Sequence, residues 1–190
     1  MAITISGSGI TSANIADGTI VNADINSSAA IDGSKLTGAG KVLQVVQSVL
    51  TTQASFALSN TWAASGLSVS ITPTSTTSKI LVRYVLQFGD GAWAYPSGRL
   101  TRGGTALSGA ISTHTAGKLG TSSSAGSSSG SWSDVTNTEF LDSPATTAAT
   151  TYAIEVTGYA SRAFYINTPS APDANQTCGI SSITLMEIGA

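Results

Sequence analysis

The sequence predicts an all-β protein: a jelly-roll-like β-sandwich preceded by a short segment of extended, repetitive chain. Three observations carry that expectation. From Lys41 onward, short runs rich in Val, Ile, Leu and aromatic residues recur between turn residues, as in chains with many short strands. No stretch spaces its apolar residues at the 3.6-residue period of a helix. Residues 1–40 follow a five-residue rhythm that fits neither helix nor strand. The rhythm stops at Gly38-Ala39-Gly40, so the chain divides into a segment 1–40 and a domain 41–190.

In the first segment Ile10, Ile15, Ile20 and Ile25 stand five residues apart, and Ile31 and Leu36 resume the count after one extra residue. A small residue lies two positions before each: Ser8, Ala13, Gly18, Ala23, Ala29 and Ser34. The pattern resembles the pentapeptide-repeat solenoids, in which a large apolar residue points inward and a small one lets the corner close. Such repeats bury their cores only by stacking on neighbours. Forty residues make little more than one coil, so this segment needs further copies of itself or a larger surface. Gly38 and Gly40 supply a hinge, because glycine tolerates backbone angles that other residues avoid.

The domain reads as a succession of strands. Val42 to Leu50 is the first, and Phe56-Ala57-Leu58 and Leu67 to Ile71 flank a turn expected near Ala64-Ser65-Gly66. Pro73 interrupts the chain. Ile80 to Phe88 is the strongest strand: Ile80, Val82, Tyr84, Leu86 and Phe88 share one face, and Leu81, Arg83, Val85 and Gln87 share a partly covered one. Gly98 to Leu107 reads as a hairpin around Gly103-Gly104. Val135 to Leu141, the alternating Tyr152, Ile154 and Val156, Arg162 to Asn167, and Ile180 to Ile188 complete the set.

Between Ser108 and Ser133 the chain becomes low in complexity; Thr121 to Ser131 is almost entirely Ser, Gly and Ala and cannot build a core. Before it, Trp93 and Tyr95 sit between Gly91 and Pro96 in an aromatic turn. Aromatic residues on loops either cap the end of a sandwich or stack on a ligand such as a sugar. Trp93, Tyr95 and Trp132 are the candidate surface-binding residues.

Composition narrows the function. Only 9% of the 190 residues are charged, against roughly 25% in ordinary soluble domains. With a net charge of −2, little self-repulsion keeps copies apart, which suits a permanent assembly. The eight Lys and Arg form no basic stripe, so nucleic acid is not an expected partner. The single cysteine, Cys178, allows no internal disulfide or thiolate cluster and is expected to be a small buried residue. The opening Met1-Ala2-Ile3-Thr4-Ile5 has neither the basic start nor the apolar core of a signal peptide, and no run is long and apolar enough for membrane insertion. The expected site of synthesis is the cytoplasm.

The chemistry of an enzyme is missing from the pattern. His114 is the only histidine and lies in the low-complexity stretch, so no nucleophile has an obvious base. Gly40-Lys41 lacks the flanking residues of a phosphate loop. A glycosidase needs two carboxylates, but Asp90, Asp134, Glu139, Asp142, Glu155 and Asp173 show no telling spacing. No catalytic residue, metal site or cofactor is expected.

Gly40-Lys41-Val42-Leu43-Gln44-Val45-Val46-Gln47 at one end and Ile180 to Ile188 at the other resemble a module of tailed-phage virion proteins. Ile71-Thr72-Pro73-Thr74-Ser75, Lys79-Ile80-Leu81-Val82, Arg102-Gly103-Gly104-Thr105, Ser143-Pro144 before Thr151-Tyr152, and Asp17 to Ile25 share the likeness. Such modules occur in tail-fibre-like and head-decoration proteins. The resemblance implies a homotrimer of jelly rolls, similar in plan to the tumour-necrosis-factor-like fold, on the virion surface. Ile10, Ile15, Ile20, Ile25, Ile31 and Leu36 would then serve virion docking and trimerisation, with capsid or tail proteins and the chain itself as partners. With no long shaft, the expected form is a short fibre, decoration or cement protein. The alternative is a receptor-binding, lectin-like tip that recognises host surface glycans, whose mark would be exposed aromatic residues clustered at the distal end.

Overall fold

Strand alternation accounts for nearly all regular structure in the computed structural model, which describes residues 41–90, 93–110, 122–123, 132–171 and 178–189, with backbone alone at 90, 122–123 and 132. The chain divides into two units, Met1–Ala39 and Gly40–Ala190, and all described residues belong to the second. Ile10, Ile15, Ile20, Ile25, Ile31, Leu36, Gly38 and Gly40 therefore lie outside the described residues, as do His114, Asp173 and most of the Ser-rich stretch. The elements are β1 (Val42–Leu50), β2 (Ala54–Ala57), β3 (Ala63–Ile71), β4 (Lys79–Asp90), β5 (Ser97–Arg102), β6 (Thr105–Ala106), β7 (Ser122–Ser123), β8 (Trp132–Asp142), β9 (Thr150–Thr157), β10 (Ala163–Ile166) and β11 (Ser181–Ile188). A 3-10 turn, Ser108–Ala110, is the one helical element among the described residues.

The strands form two antiparallel sheets, consistent with a β-sandwich. In the first, β4 pairs with β8 along one edge. Its other edge takes β11 opposite residues 79–85 and β10 opposite residues 88–90. β1 lies outside β11, and β2 lies outside β10. β10 and β11 are thus one line broken by an excursion, and so are β1 and β2. In the second sheet β9 sits between β3 and β5, while β6 and β7 share the far edge of β5. Counted as eight lines in chain order, the first sheet runs first, eighth, third, sixth; the second runs second, seventh, fourth, fifth.

Period-two alternation aims the core residues inward. Ile80, Val82, Tyr84, Leu86 and Phe88 of β4 meet Ile183 and Leu185 of β11, and Leu67, Ile71, Leu100, Tyr152, Ile154 and Val156 come from the second sheet; all are fully or almost fully buried. Phe164 stacks on Phe56 at 5.3 Å between ring centres and meets Phe88 edge-on at 6.2 Å. The hairpin at Gly103-Gly104 forms as its sequence requires, with φ of 56° and 79°, which suits glycine.

The turn expected at Ala64-Ser65-Gly66 is instead an irregularity inside β3, where the register with β9 shifts between Ala64 and Ser68. Ser65 turns inward and donates to the Ile154 carbonyl at 2.7 Å, while its oxygen accepts from Leu67 N–H. Gly66 takes the φ of 87° that this bulge needs. Long-range pairing converted a local turn signal into a bulge.

The excursion between β10 and β11 is held by buried Asn167, which takes a φ of 63°. Its side-chain nitrogen donates to the carbonyls of Leu50 and Thr52 at 2.7 and 3.0 Å, and its oxygen accepts from Ser181 Oγ at 2.7 Å. One side chain thereby joins the breaks in both interrupted lines and gives partners to two backbone carbonyls at the break. Cys178, on the same excursion, is exposed rather than buried, and its sulfur accepts from Gln53 Nε2 at 2.6 Å.

Glu187 stabilises the end of the domain where the described chain begins. It has no exposed surface but lies just beneath it, accepting from Gln44 Nε2 at 2.6 Å and from Thr74 N and Oγ1 at 2.7 Å each. Burial alone would raise its pKa, but the groups of Gln44, Ser78 and Thr74 overcome that and bring it from 4.5 to about 2. A carboxylate held below its unfolded value contributes stability above about pH 4.5 and loses it as the pH falls toward 2. Between pH 5 and 2 the wild type is therefore expected to lose about 1–2 kcal/mol more than Glu187→Gln, allowing for solvent screening. Urea midpoints across that range measure the difference, and identical slopes for the two proteins would refute it.

Candidate functional site

Two surfaces stand out from the polar, weakly charged exterior. The first is the outer face of the first sheet. Odd-numbered residues of β4 point away from the core, and the registers align them with their neighbours in rows. Val45, Met186, Leu81 and Leu141 form one row across β1, β11, β4 and β8. Gln47, Thr184, Arg83 and Glu139 form the next, and Val49, Ser182, Val85 and Asn137 the third. The middle row is polar and paired within the chain: Gln47 donates to Thr184 at 2.9 Å, and Arg83 meets Glu139 at 3.5 Å. The row through Leu81 is wholly apolar, and the row through Val85 alternates Val49 and Val85 with Ser182 and Asn137. Val45, Val49 and Leu141 are each close to half exposed, and Val135, farther along β8, is 59% exposed. A shallow depression of about 290 Å³ lies on this face, lined by Gln47, Arg83, Val85, Ser182, Thr184 and Met186.

The outer face of the second sheet differs. Its rows run Ser70–Thr151, Ser68–Ala153–Thr101 and Ala64–Glu155–Arg99. Ser70 and Thr151 share a hydrogen bond of 2.7 Å. Arg99 binds Glu155 through Nε at 2.7 Å and lies 4.3 Å over the ring of Trp62. These rows present no Val, Leu, Ile or Met to solvent.

The second surface is aromatic. Trp93 and Tyr95 lie on the connection from β4 to β5, with ring centres 5.9 Å apart and planes tilted by 45°. Tyr159, on the connection from β9 to β10, meets Tyr95 edge-on at 6.1 Å. Tyr159 N–H donates to the Ala94 carbonyl at 2.7 Å, tying the two connections together. Of the candidate surface-binding residues, Trp93 and Tyr95 are therefore brought together and exposed. Trp132 opens β8 opposite Asp90, and its side chain lies outside the described residues. Tyr159 escaped the sequence reading, because an isolated tyrosine after a strand carries no sign of its neighbour in space.

The described carboxylates are engaged in structural bonds. Asp142 and Glu187 share an inward row, one on each side of Ile80, but the fully buried Ile80 stands between them. Asp142 Oδ2 accepts from both Arg102 Nη1 and Tyr152 Oη at 2.6 Å, linking the first sheet to the second. Burial, then the hydrogen bond and charge of Asp142, push the Tyr152 hydroxyl well above its ordinary pKa. Burial would lower the Arg102 guanidinium, but Asp142 raises it. Glu139 and Glu155 lie on opposite outer faces with their arginines, and Asp134 accepts from the N–H of Val135. Among the described residues no three His, Cys, Asp or Glu side chains are placed to hold a metal ion.

No protein-family model matches this chain, and no curated protein sequence matches it either.

Proposed function

We propose that this protein is a non-enzymatic structural component of a tailed-phage virion: a homotrimeric surface appendage, a short fibre or a decoration or cement protein, anchored through residues 1–40. The observation that carries the reading is the contrast between the two outer sheet faces. One presents polar rows; the other offers Val45, Val49, Leu81, Val85, Val135, Leu141 and Met186 around a polar row. An extended apolar patch on a chain with so little charge is suited to burial against further copies of itself. The strand order first–eighth–third–sixth and second–seventh–fourth–fifth supports the jelly-roll reading, which accords with the resemblance to trimeric virion modules. The number three comes from that resemblance. The engagement of Glu139, Asp142, Glu155 and Glu187 in structural bonds supports a role without catalysis, and no cofactor enters this reading.

Native mass spectrometry of the full chain is expected to report three copies, and a stable monomer at micromolar concentration would overturn the assembly. Deleting residues 1–37 is expected to leave a folded β domain that no longer attaches to particles, because it removes the apolar row Ile10 to Leu36. Full particle occupancy by the truncated protein would place the anchor elsewhere.

A further inference from the structure

We infer that Arg83 of one copy pairs with Glu139 of the next, so that the polar row on the outer face of the first sheet sets the register in which copies of this chain dock. This pairing rests on the assembly through that face proposed above; it adds the residues that decide how the copies align.

Three arginine–carboxylate pairs occur among the described residues, and they differ. Arg102 meets the nearly buried Asp142 at 2.6 Å between the sheets. Arg99 reaches Glu155 through Nε at 2.7 Å, and both side chains are only 24% exposed. Arg83 and Glu139 stand 3.5 Å apart, with 52% and 58% of their side chains exposed. That distance exceeds the ordinary length of an N–H···O hydrogen bond, and an exposed ion pair contributes little or nothing to folding. Fold stability therefore gives no reason for two opposite charges at the centre of the more apolar outer face.

Covering that face changes the balance. A charge taken out of water needs a partner at hydrogen-bonding distance, and the loose contact within the chain leaves both groups with further capacity for hydrogen bonds. Across a contact between copies, guanidinium and carboxylate can meet through two parallel bonds, which fix direction as well as distance. The apolar neighbours cannot do this. Contacts among Val45, Leu81 and Leu141 are non-directional and tolerate several alignments. One charged pair among them selects a single alignment, because every other leaves a buried charge unmatched.

The occupant follows from the signs. The rows through Leu81, Arg83 and Val85 carry these two charges and no others. An acidic partner would match Arg83 and leave Glu139 against like charge; a basic partner would do the reverse. A second copy brings both. Shape agrees with charge. The depression of about 290 Å³ is lined in part by Gln47, Arg83, Ser182 and Thr184, all of which can donate hydrogen bonds. Glu139 projects from β8, the edge strand on that side of the sheet among the described residues. A face with a donor-lined hollow at one side and an exposed carboxylate at the other is complementary to itself.

Sedimentation velocity and native mass spectrometry of the full chain test the pairing. Arg83→Glu and Glu139→Arg each set like charges together at every contact between identical copies, and each should weaken association at least about tenfold. The double variant Arg83→Glu/Glu139→Arg restores opposite charges and should return to within about threefold of wild type. Mixing the two single variants separates pairing between copies from pairing within one. Contacts between unlike chains carry opposite charges in both directions, so assemblies holding both chains should form at concentrations where neither variant associates alone. A pair confined to one chain gains nothing from mixing. Both side chains reach solvent, and circular dichroism verifies that every variant is folded. Ser68→Glu, at an exposed position on the outer face of the second sheet, should associate as the wild type does. Four results would each overturn the pairing alone: single variants that associate as tightly as wild type, a double variant as weak as the singles, a mixture without mixed assemblies, or an equal loss from Ser68→Glu. A monomeric wild type would overturn the assembly and the pairing with it, so the two failures are told apart.

Discussion

Leu81→Asp combined with Val85→Asp is expected to convert the proposed trimer into a folded monomer. Both side chains project from β4 on the outer face, and both are half-buried in the isolated chain. They stand on either side of Arg83 in the two rows that flank it. Burying such a side chain against a neighbouring copy contributes about 1.5–3 kcal/mol, and each chain would lose that twice. A carboxylate in their place would resist burial by several kcal/mol unless paired. The inward residues Ile80, Val82, Tyr84 and Leu86 are untouched, so the sandwich itself should persist. Sedimentation velocity and circular dichroism would read the two effects separately. A double variant that remained trimeric would show that residues 1–40 or another face hold the copies together.

Asp142→Ala is expected to cost the domain about 3–5 kcal/mol, the range for breaking a buried charged pair from one side. The change removes the shared acceptor of Arg102 and Tyr152. It leaves a completely buried phenol hydroxyl and a partly buried guanidinium without that acceptor. It also cuts a link between β8 in one sheet and β5 and β9 in the other. Since domains of this size are stable by only about 5–15 kcal/mol, the loss should be visible as a large fall in the urea midpoint. Asp142→Asn keeps an acceptor but loses the charge and should lie between the two. A loss below about 1 kcal/mol for Asp142→Ala would mean that the network is exchangeable with water and carries little of the fold.

The local alphabet of the fold was legible in the sequence. Alternation of Ile80, Val82, Tyr84, Leu86 and Phe88 determined a strand with one buried face, and apolar Leu81 and Val85 already signalled that the opposite face was not meant for water alone. Gly103-Gly104 determined a hairpin, and Pro73 lay just beyond the end of β3. Trp93 and Tyr95 were legible as an aromatic turn. These features depend on residues close together in the chain, where side-chain period and backbone preference act directly.

Tertiary structure decided what depends on residues far apart. Period two assigns a side chain to a face but does not choose the strand that pairs with it. Hence the β10–β11 line broken beside β1–β2, the sealing of both breaks by Asn167, and the rows that gather apolar side chains on one outer face became visible only once the registers were set. The same holds for Ser65-Gly66, whose turn chemistry was absorbed as a bulge when β3 paired with β9. Asp142 was one of six carboxylates without a telling spacing until strand pairing set it beside Arg102 and Tyr152. Tyr159 joined Trp93 and Tyr95 only because β4 and β9 both deliver their chains to the same end of the sandwich. Local preference wrote the strands; long-range pairing, where burial must be satisfied by partners distant in sequence, chose their neighbours.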